Sequence, residues 1–123
     1  YLAQNLHKHV QQQIKHQLKR KQWEEQGESK ETKNISLSSL ASALRAAFQA
    51  VETEVIDEAE MQYQGSTAVT VTIHEEKDGS RTLLSANVGD SRAVLCRGGT
   101  ALDLTRYHKP NDERERARIQ EMG

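Results

Sequence analysis

Apolar residues at the start of the chain recur every four positions, at Leu2, Leu6, Val10, Ile14 and Leu18. On a helix that spacing draws one narrow stripe, which predicts an amphipathic helix over residues 1–23. Residues 24–36 carry almost no apolar side chains and read as an exposed loop. A second stripe follows, at Leu37, Leu40, Leu44, Phe48, Val51 and Val55, with Ser36 or Ser38 placed to cap it; a helix over 37–62 is predicted. After Gly65 the period falls to two: Thr67, Val69, Val71 and Ile73 alternate with Ala68, Thr70 and Thr72, and β-branched residues dominate, as a half-buried strand favours. Asp78-Gly79 is a hairpin signal, and the pattern continues as strands over 81–88, 91–97 and 101–105, turning at Gly89-Asp90 and Gly98-Gly99. Residues 66–106 are therefore predicted as an antiparallel meander, and residues 111–122 as a last helix with acids in its first turn and Gly123 behind it.

The fold class is α+β. Leu83 and Leu84, then Val94, Leu95 and Cys96, put apolar side chains on both faces of the middle strands, so one face must pack on another sheet or on helices. The first helix is basic, with Lys8, Lys15, Lys19, Arg20 and Lys21, whereas the end of the second is acidic, with Glu52, Glu54, Asp57, Glu58 and Glu60. The two suit an antiparallel pair in which the apolar stripes supply most of the packing, since a surface ion pair adds only about 1 kcal/mol or less.

Composition narrows the picture. At 123 residues the chain is one compact domain or a piece of a larger one, and with 4% aromatic residues a large aromatic core is excluded. Seventeen basic against eighteen acidic residues give a net charge of −1, which argues against a nucleic-acid partner. No apolar run is long enough to span a membrane, and residues 1–10 do not read as a signal peptide. The single Cys96 has no internal disulfide partner and lies mid-strand, so an intracellular protein with an inert core thiol is expected.

Candidate chemistry is sparse. His9 and His16 are two helical turns apart, about 10 Å along the axis, too far to share one ion, so the histidines of the first helix are expected on a solvated polar face. No nucleophile elbow, phosphate-cradling glycine loop or paired-cysteine pattern is present. Asp90 stands out, because a carboxylate in a turn after glycine projects from the end of a sheet. It reads either as a turn former or as a hard oxygen ligand for Mg²⁺ or Mn²⁺, and spacing leaves both open.

A family resemblance enters through three stretches. Gly65-Ser66-Thr67-Ala68-Val69, Leu84-Ser85-Ala86-Asn87-Val88-Gly89-Asp90-Ser91-Arg92-Ala93-Val94-Leu95-Cys96-Arg97, and His108-Lys109-Pro110-Asn111-Asp112-Glu113 with Arg118-Ile119-Gln120 resemble the central motifs of the metal-dependent, type 2C protein phosphatases. Ala-Asn-x-Gly-Asp-Ser-Arg is the most specific of them. The resemblance covers residues 65–123 well and is weaker over the helices, where residues 1–10 resemble the helix after the family's Asp-Gly-His-Gly-Gly motif.

The resemblance implies an α-β-β-α sandwich, two antiparallel sheets flanked by antiparallel helix pairs, of which residues 1–123 would be an internal part of the catalytic domain. It implies hydrolysis of phosphoserine and phosphothreonine on signalling phosphoproteins, with two or three Mn²⁺ or Mg²⁺ ions in the complete domain. The family's main metal ligands, phosphate-binding arginine and proposed general-acid histidine fall before Tyr1 or after Gly123, so no catalytic residue carries over and this stretch alone is expected to be inactive. Asp90 resembles the family's aspartate at a third, weaker metal position. Ser66, Thr67, Ser91 and Arg92 match positions expected to shape the sheet end beneath the metals. Where the family usually has Asp before His-Lys-Pro, this chain has Tyr107, a change expected to alter local hydrogen bonding. The setting implied is intracellular, cytoplasmic or nuclear, without nucleic acid or membrane and with no oligomeric state specified. The alternative expectation is a non-catalytic phosphatase-like module that binds partners through its basic first helix and polar loop.

Overall fold

The structure, a computed structural model, describes residues 1–24 and 35–123, with side chains for 1–19 and 35–123. The loop expected over 24–36 lies almost wholly outside the described residues. Two compact units are present: Tyr1–Gln64 with His74–Ser80, and Gly65–Ile73 with Arg81–Gly123.

The first unit is built on helices α1 (Leu2–Glu24) and α2 (Leu37–Asp57), which pack on each other. Ser36 caps α2, its hydroxyl accepting from the Ser39 N–H at 3.3 Å. The buried side chains of α2 are Leu40, Ala43, Leu44, Ala47 and Val51, at the spacing one helical face requires. Ala43 and Ala47 are completely covered. They fall outside the stripe of large residues seen in sequence. The α1 stripe is half-buried.

Tyr1, just before α1, and His9 of α1 both reach Glu54 near the end of α2, so the start of one helix lies beside the end of the other, as in an antiparallel pair. The Tyr1 hydroxyl donates to the Glu54 carboxylate, and His9 Nε2 lies 3.1 Å from Glu54 Oε2. Chiefly because of the Tyr1 hydroxyl, and secondly through His9, the Glu54 pKa is lowered; the same hydrogen bond raises that of Tyr1. His9 is thus half-buried and paired, which corrects its expected place on a solvated face.

Helix α2 also ends earlier than predicted. Glu58 turns to an extended conformation, and only a short 3₁₀ turn, Ala59–Met61, follows. Past Val55 the segment has no continuous face to bury, with Ile56 71% and Tyr63 95% exposed. Its acids also stand at a helix C-terminus, where the dipole disfavours negative charge.

The strands are β1 (Ala68–Glu75), β2 (Arg81–Val88), β3 (Val94–Arg97) and β4 (Thr100–Asp103), followed by helix α3 (Glu113–Met122). They form two two-stranded sheets, β1–β2 and β3–β4, which corrects the single meander. The β1–β2 turn is closed by the Glu76 N–H donating to the Ser80 carbonyl at 2.8 Å and by Gly79 N–H to the Glu76 carbonyl at 3.0 Å. In the β3–β4 hairpin Val94 faces Asp103 and Arg97 faces Thr100 across Gly98-Gly99. Residues 89–93 do not extend β3 toward β2, because Ala93 is paired elsewhere: its N–H donates to the Thr105 hydroxyl at 3.0 Å and its carbonyl accepts from the Leu104 N–H at 2.9 Å.

On β1 the covered face is Ala68, Thr70, Thr72 and His74, whereas Val69, Val71 and Ile73 are 37%, 48% and 65% exposed. The most apolar face of the strand is therefore the open one. Cys96 is exposed as well, sharing the open side of β3 with Val94, so it is not the core thiol expected. Helix α3 begins at Glu113, two residues later than predicted, because Asp112 is its cap: its Oδ1 accepts from the N–H groups of Arg114 and Glu115 at 3.1 Å each.

Candidate functional site

Where β2 ends, Gly89 and Asp90 turn the chain. Gly89 has φ +85°, and a Cβ there would come within 2.4 Å of the Thr67 methyl. A side chain is therefore excluded both by conformation and by space. Rotating the Thr67 methyl away would break the hydrogen bond between its hydroxyl and that of Ser91, 2.6 Å apart, on the far side of Asp90. Thr67, Gly89 and Ser91 together lock the turn that presents Asp90 at the strand end.

Residues 104–108 are stitched beside this turn. Ser85 and Asn87 lie two apart on one face of β2, and they donate to carbonyls two apart, Ser85 Oγ to Leu104 at 2.7 Å and Asn87 Nδ2 to Arg106 at 2.8 Å. The His108 N–H completes the attachment by donating to the Gly89 carbonyl at 3.0 Å. Side chains replace a backbone ladder here, so the segment is held in place without being a strand. Sequence reasoning missed Ser85 and Asn87 as positioning groups. The available signal was a pair of hydrogen-bonding side chains at period two within a strand.

Held in this way, the segment supplies the charged surroundings of Asp90. Lys109 Nζ lies 3.4 Å from Asp90 Oδ2, with both side chains about half exposed. Arg92 lies 3.6 Å from Asp103 Oδ1. Between the two cations stands Tyr107: Lys109 Nζ is 5.4 Å and Arg92 Cζ 5.6 Å from its ring centroid, within cation–π range. Tyr107 thus meets its neighbours through its ring. Ser66 bonds locally, its hydroxyl donating to the Thr67 carbonyl at 3.3 Å.

Of the residues singled out in sequence, the structure brings Thr67, Asp90 and Ser91 together at the strand end and places Arg92 on Tyr107. A metal ion tests this arrangement, since Mg²⁺ and Mn²⁺ need several hard oxygen donors. Among the described residues no group of three or more His, Cys, Asp or Glu side chains converges, and the Asp90 carboxylate already faces an ammonium group. These residues do not by themselves fit such an ion. They offer one carboxylate on a rigid turn.

Helices with two small antiparallel sheets make the chain α+β. Comparison with known proteins assigns the family. A model of the family described as protein phosphatase 2C matches residues 1–123. The chain is 39% identical over 89 residues to "Probable protein phosphatase 2C 59" of Arabidopsis thaliana, covering 71% of this chain and 27% of that protein. It is 39% identical over 82 residues to "Probable protein phosphatase 2C 45" of Oryza sativa subsp. japonica, covering 66% and 27%. With "Probable protein phosphatase 2C 75" of Arabidopsis thaliana the identity is 46% over 67 residues, covering 54% and 15%. No solved structure matches significantly. The chain belongs to the protein phosphatase 2C family and is an α+β fragment of that fold. The matched regions span between 15% and 27% of the length of these three relatives. Among the described residues no helix is long and apolar enough to cross a membrane.

Proposed function

We propose that this chain is an internal part of a protein serine/threonine phosphatase catalytic domain, and that the full-length parent hydrolyses phosphoserine and phosphothreonine on proteins. Mn²⁺ or Mg²⁺ would supply the activated water and neutralise phosphoryl charge there. The observation that carries this reading is the family match along all of residues 1–123. Asp90, raised on the Thr67–Gly89–Ser91 lock, is proposed to lend one carboxylate to a metal position completed by other parts of the parent. An intracellular setting accompanies this reading, supported by the lone, unpaired Cys96.

Two assays test it. The 123-residue chain with excess Mn²⁺ is expected not to hydrolyse p-nitrophenyl phosphate, and robust turnover would overturn that part of the proposal. In the full-length parent, metal-dependent release of phosphate from phosphopeptides is expected, and Asp90→Ala should lower turnover at limiting metal while leaving the fold intact. A metal dependence identical to that of the native protein would return Asp90 to the role of turn former. A parent without any phosphatase activity would instead favour a non-catalytic binding module.

A further inference from the structure

Helix α1 divides its residues by chemistry around its circumference. Leu2, Leu6, Val10, Ile14 and Leu18 are half-buried, on a helix that packs on α2. Gln4, Lys8, Gln11, Gln12, Lys15 and Lys19 are exposed. At 3.6 residues per turn, the three lysines fall within about 40° of one another and span about 17 Å along the axis. No Asp or Glu occurs in residues 1–19. Among the described residues neither Lys15 nor Lys19 forms an ion pair, and Lys8 donates to the Asn5 side chain at 3.3 Å. The carboxylate that does reach this helix, Glu54, meets Tyr1 and His9 instead. The lysines thus form a row of cations, separated by glutamines, without acids of their own.

We propose that this row is a docking face for an acidic, extended segment of a protein partner. Three features select that occupant. A row of one sign attracts a polyanion and steers its approach. No large apolar side chain stands among the lysines, so the face lacks the means by which a surface helix enters a bilayer, and the apolar stripe already faces other protein. A net charge of −1 also leaves the chain without the basic excess on which nucleic-acid binding draws. The length of the row fits an extended peptide, since about 17 Å is covered by about five or six residues at about 3.3 Å each. Exposed ion pairs are individually weak, so capture here is reversible and sensitive to salt. The inference does not depend on the activity proposed for the parent.

The test is fluorescence anisotropy of a dye-labelled hexaglutamate peptide titrated with the full-length parent. Binding is expected at low salt, weakening severalfold between about 50 and about 300 mM NaCl. Lys8→Gln, Lys15→Gln and Lys19→Gln combined should weaken it roughly tenfold, and each alone about twofold. All three side chains are exposed, so an unchanged melting midpoint is expected and shows that the variant is folded. A control variant, Arg97→Gln with Arg114→Gln and Arg116→Gln, removes the same charge from exposed positions outside α1 and should bind like the native protein.

No binding at low salt, equal binding by the triple-lysine variant, or an equal loss in the control variant would overturn the inference. Tighter binding of an oligonucleotide of equal charge, or of phosphatidylserine vesicles, than of the peptide would overturn it in favour of nucleic acid or membrane. Self-association of the parent that the lysine replacements abolish would overturn it in favour of a second copy, whose exposed Glu52, Asp57 and Glu58 would then be the acids engaged.

Discussion

The two units use their apolar residues in opposite ways. In the helical unit the stripe on α2 is buried, with Leu40, Leu44 and Val51 at most 3% exposed. In the strand unit the apolar positions of β1 stand open, up to 65% exposed at Ile73, and Val94 and Leu102 of the second sheet are 47% and 44% exposed. A helix can bury its stripe against one neighbouring helix. A strand has two faces and two edges, and a two-stranded sheet covers neither face, so three or more strands or a packed helix are needed for independent stability. The helical unit is accordingly expected to carry most of the chain's stability and the strand unit to hold its shape through the hydrogen bonds around Asp90.

The comparison breaks most directly at Leu44. Leu44→Ala should destabilise the helical unit by about 2–4 kcal/mol, seen as a lower urea midpoint of the helical circular-dichroism signal. A loss under 1 kcal/mol would mean that the α2 stripe is not the main source of stability. Next in size is Gly89→Ala, which meets both the positive φ and the Thr67 methyl. A cost of about 1–3 kcal/mol is expected, with loss of amide protection at His108, whose N–H donates to the Gly89 carbonyl, and a neutral substitution would show that the turn is not locked.

A smaller effect is expected from pH. The Glu54 carboxyl is held below its usual value of 4.5, so its stabilising contribution is present above that value and fades as pH falls through the lowered one. The Tyr1 phenol is raised above 10.0, so its contribution is present below that value and fades as pH climbs through the raised one. Unfolding followed between neutral and acidic pH should show a weakening that Glu54→Gln largely removes. An unaltered pH profile in that variant would assign the acid sensitivity elsewhere. Smallest of all is Val71→Thr on the open face of β1, expected to change stability by no more than about 0.5 kcal/mol in thermal melts. A cost above 1 kcal/mol would mean that the face is covered in solution.

Much of this was legible because local rules suffice for it. Helical period and a serine cap located α1 and α2, alternation located β1 and β2, and Asp78-Gly79 marked the hairpin. The candidate site was legible in part. Asp90 stands out from its place in a turn after glycine, and Thr67 and Ser91 through motif resemblance, but the hydroxyl pair across 24 positions is not legible. Tyr107 looked like a local irregularity, although its ring gathers Arg92 and Lys109. Ser85 and Asn87 went unnoticed because a polar residue in a strand declares its alternation and not the carbonyl it will reach.

By itself the sequence determined which segments are helical or extended, where the caps and turns fall, and the family to which the chain belongs. Those depend on near-neighbour spacing, backbone preference and motif, all written along the chain. Only the tertiary structure decided that the strands form two separate sheets, that the threonine face of β1 is the covered one, and that Asp90 faces an ammonium group. These outcomes depend on which distant groups meet. Alternation identifies the two faces of a strand but not which of them will be covered, and a charge pattern does not say which cation will be anchored beside which carboxylate.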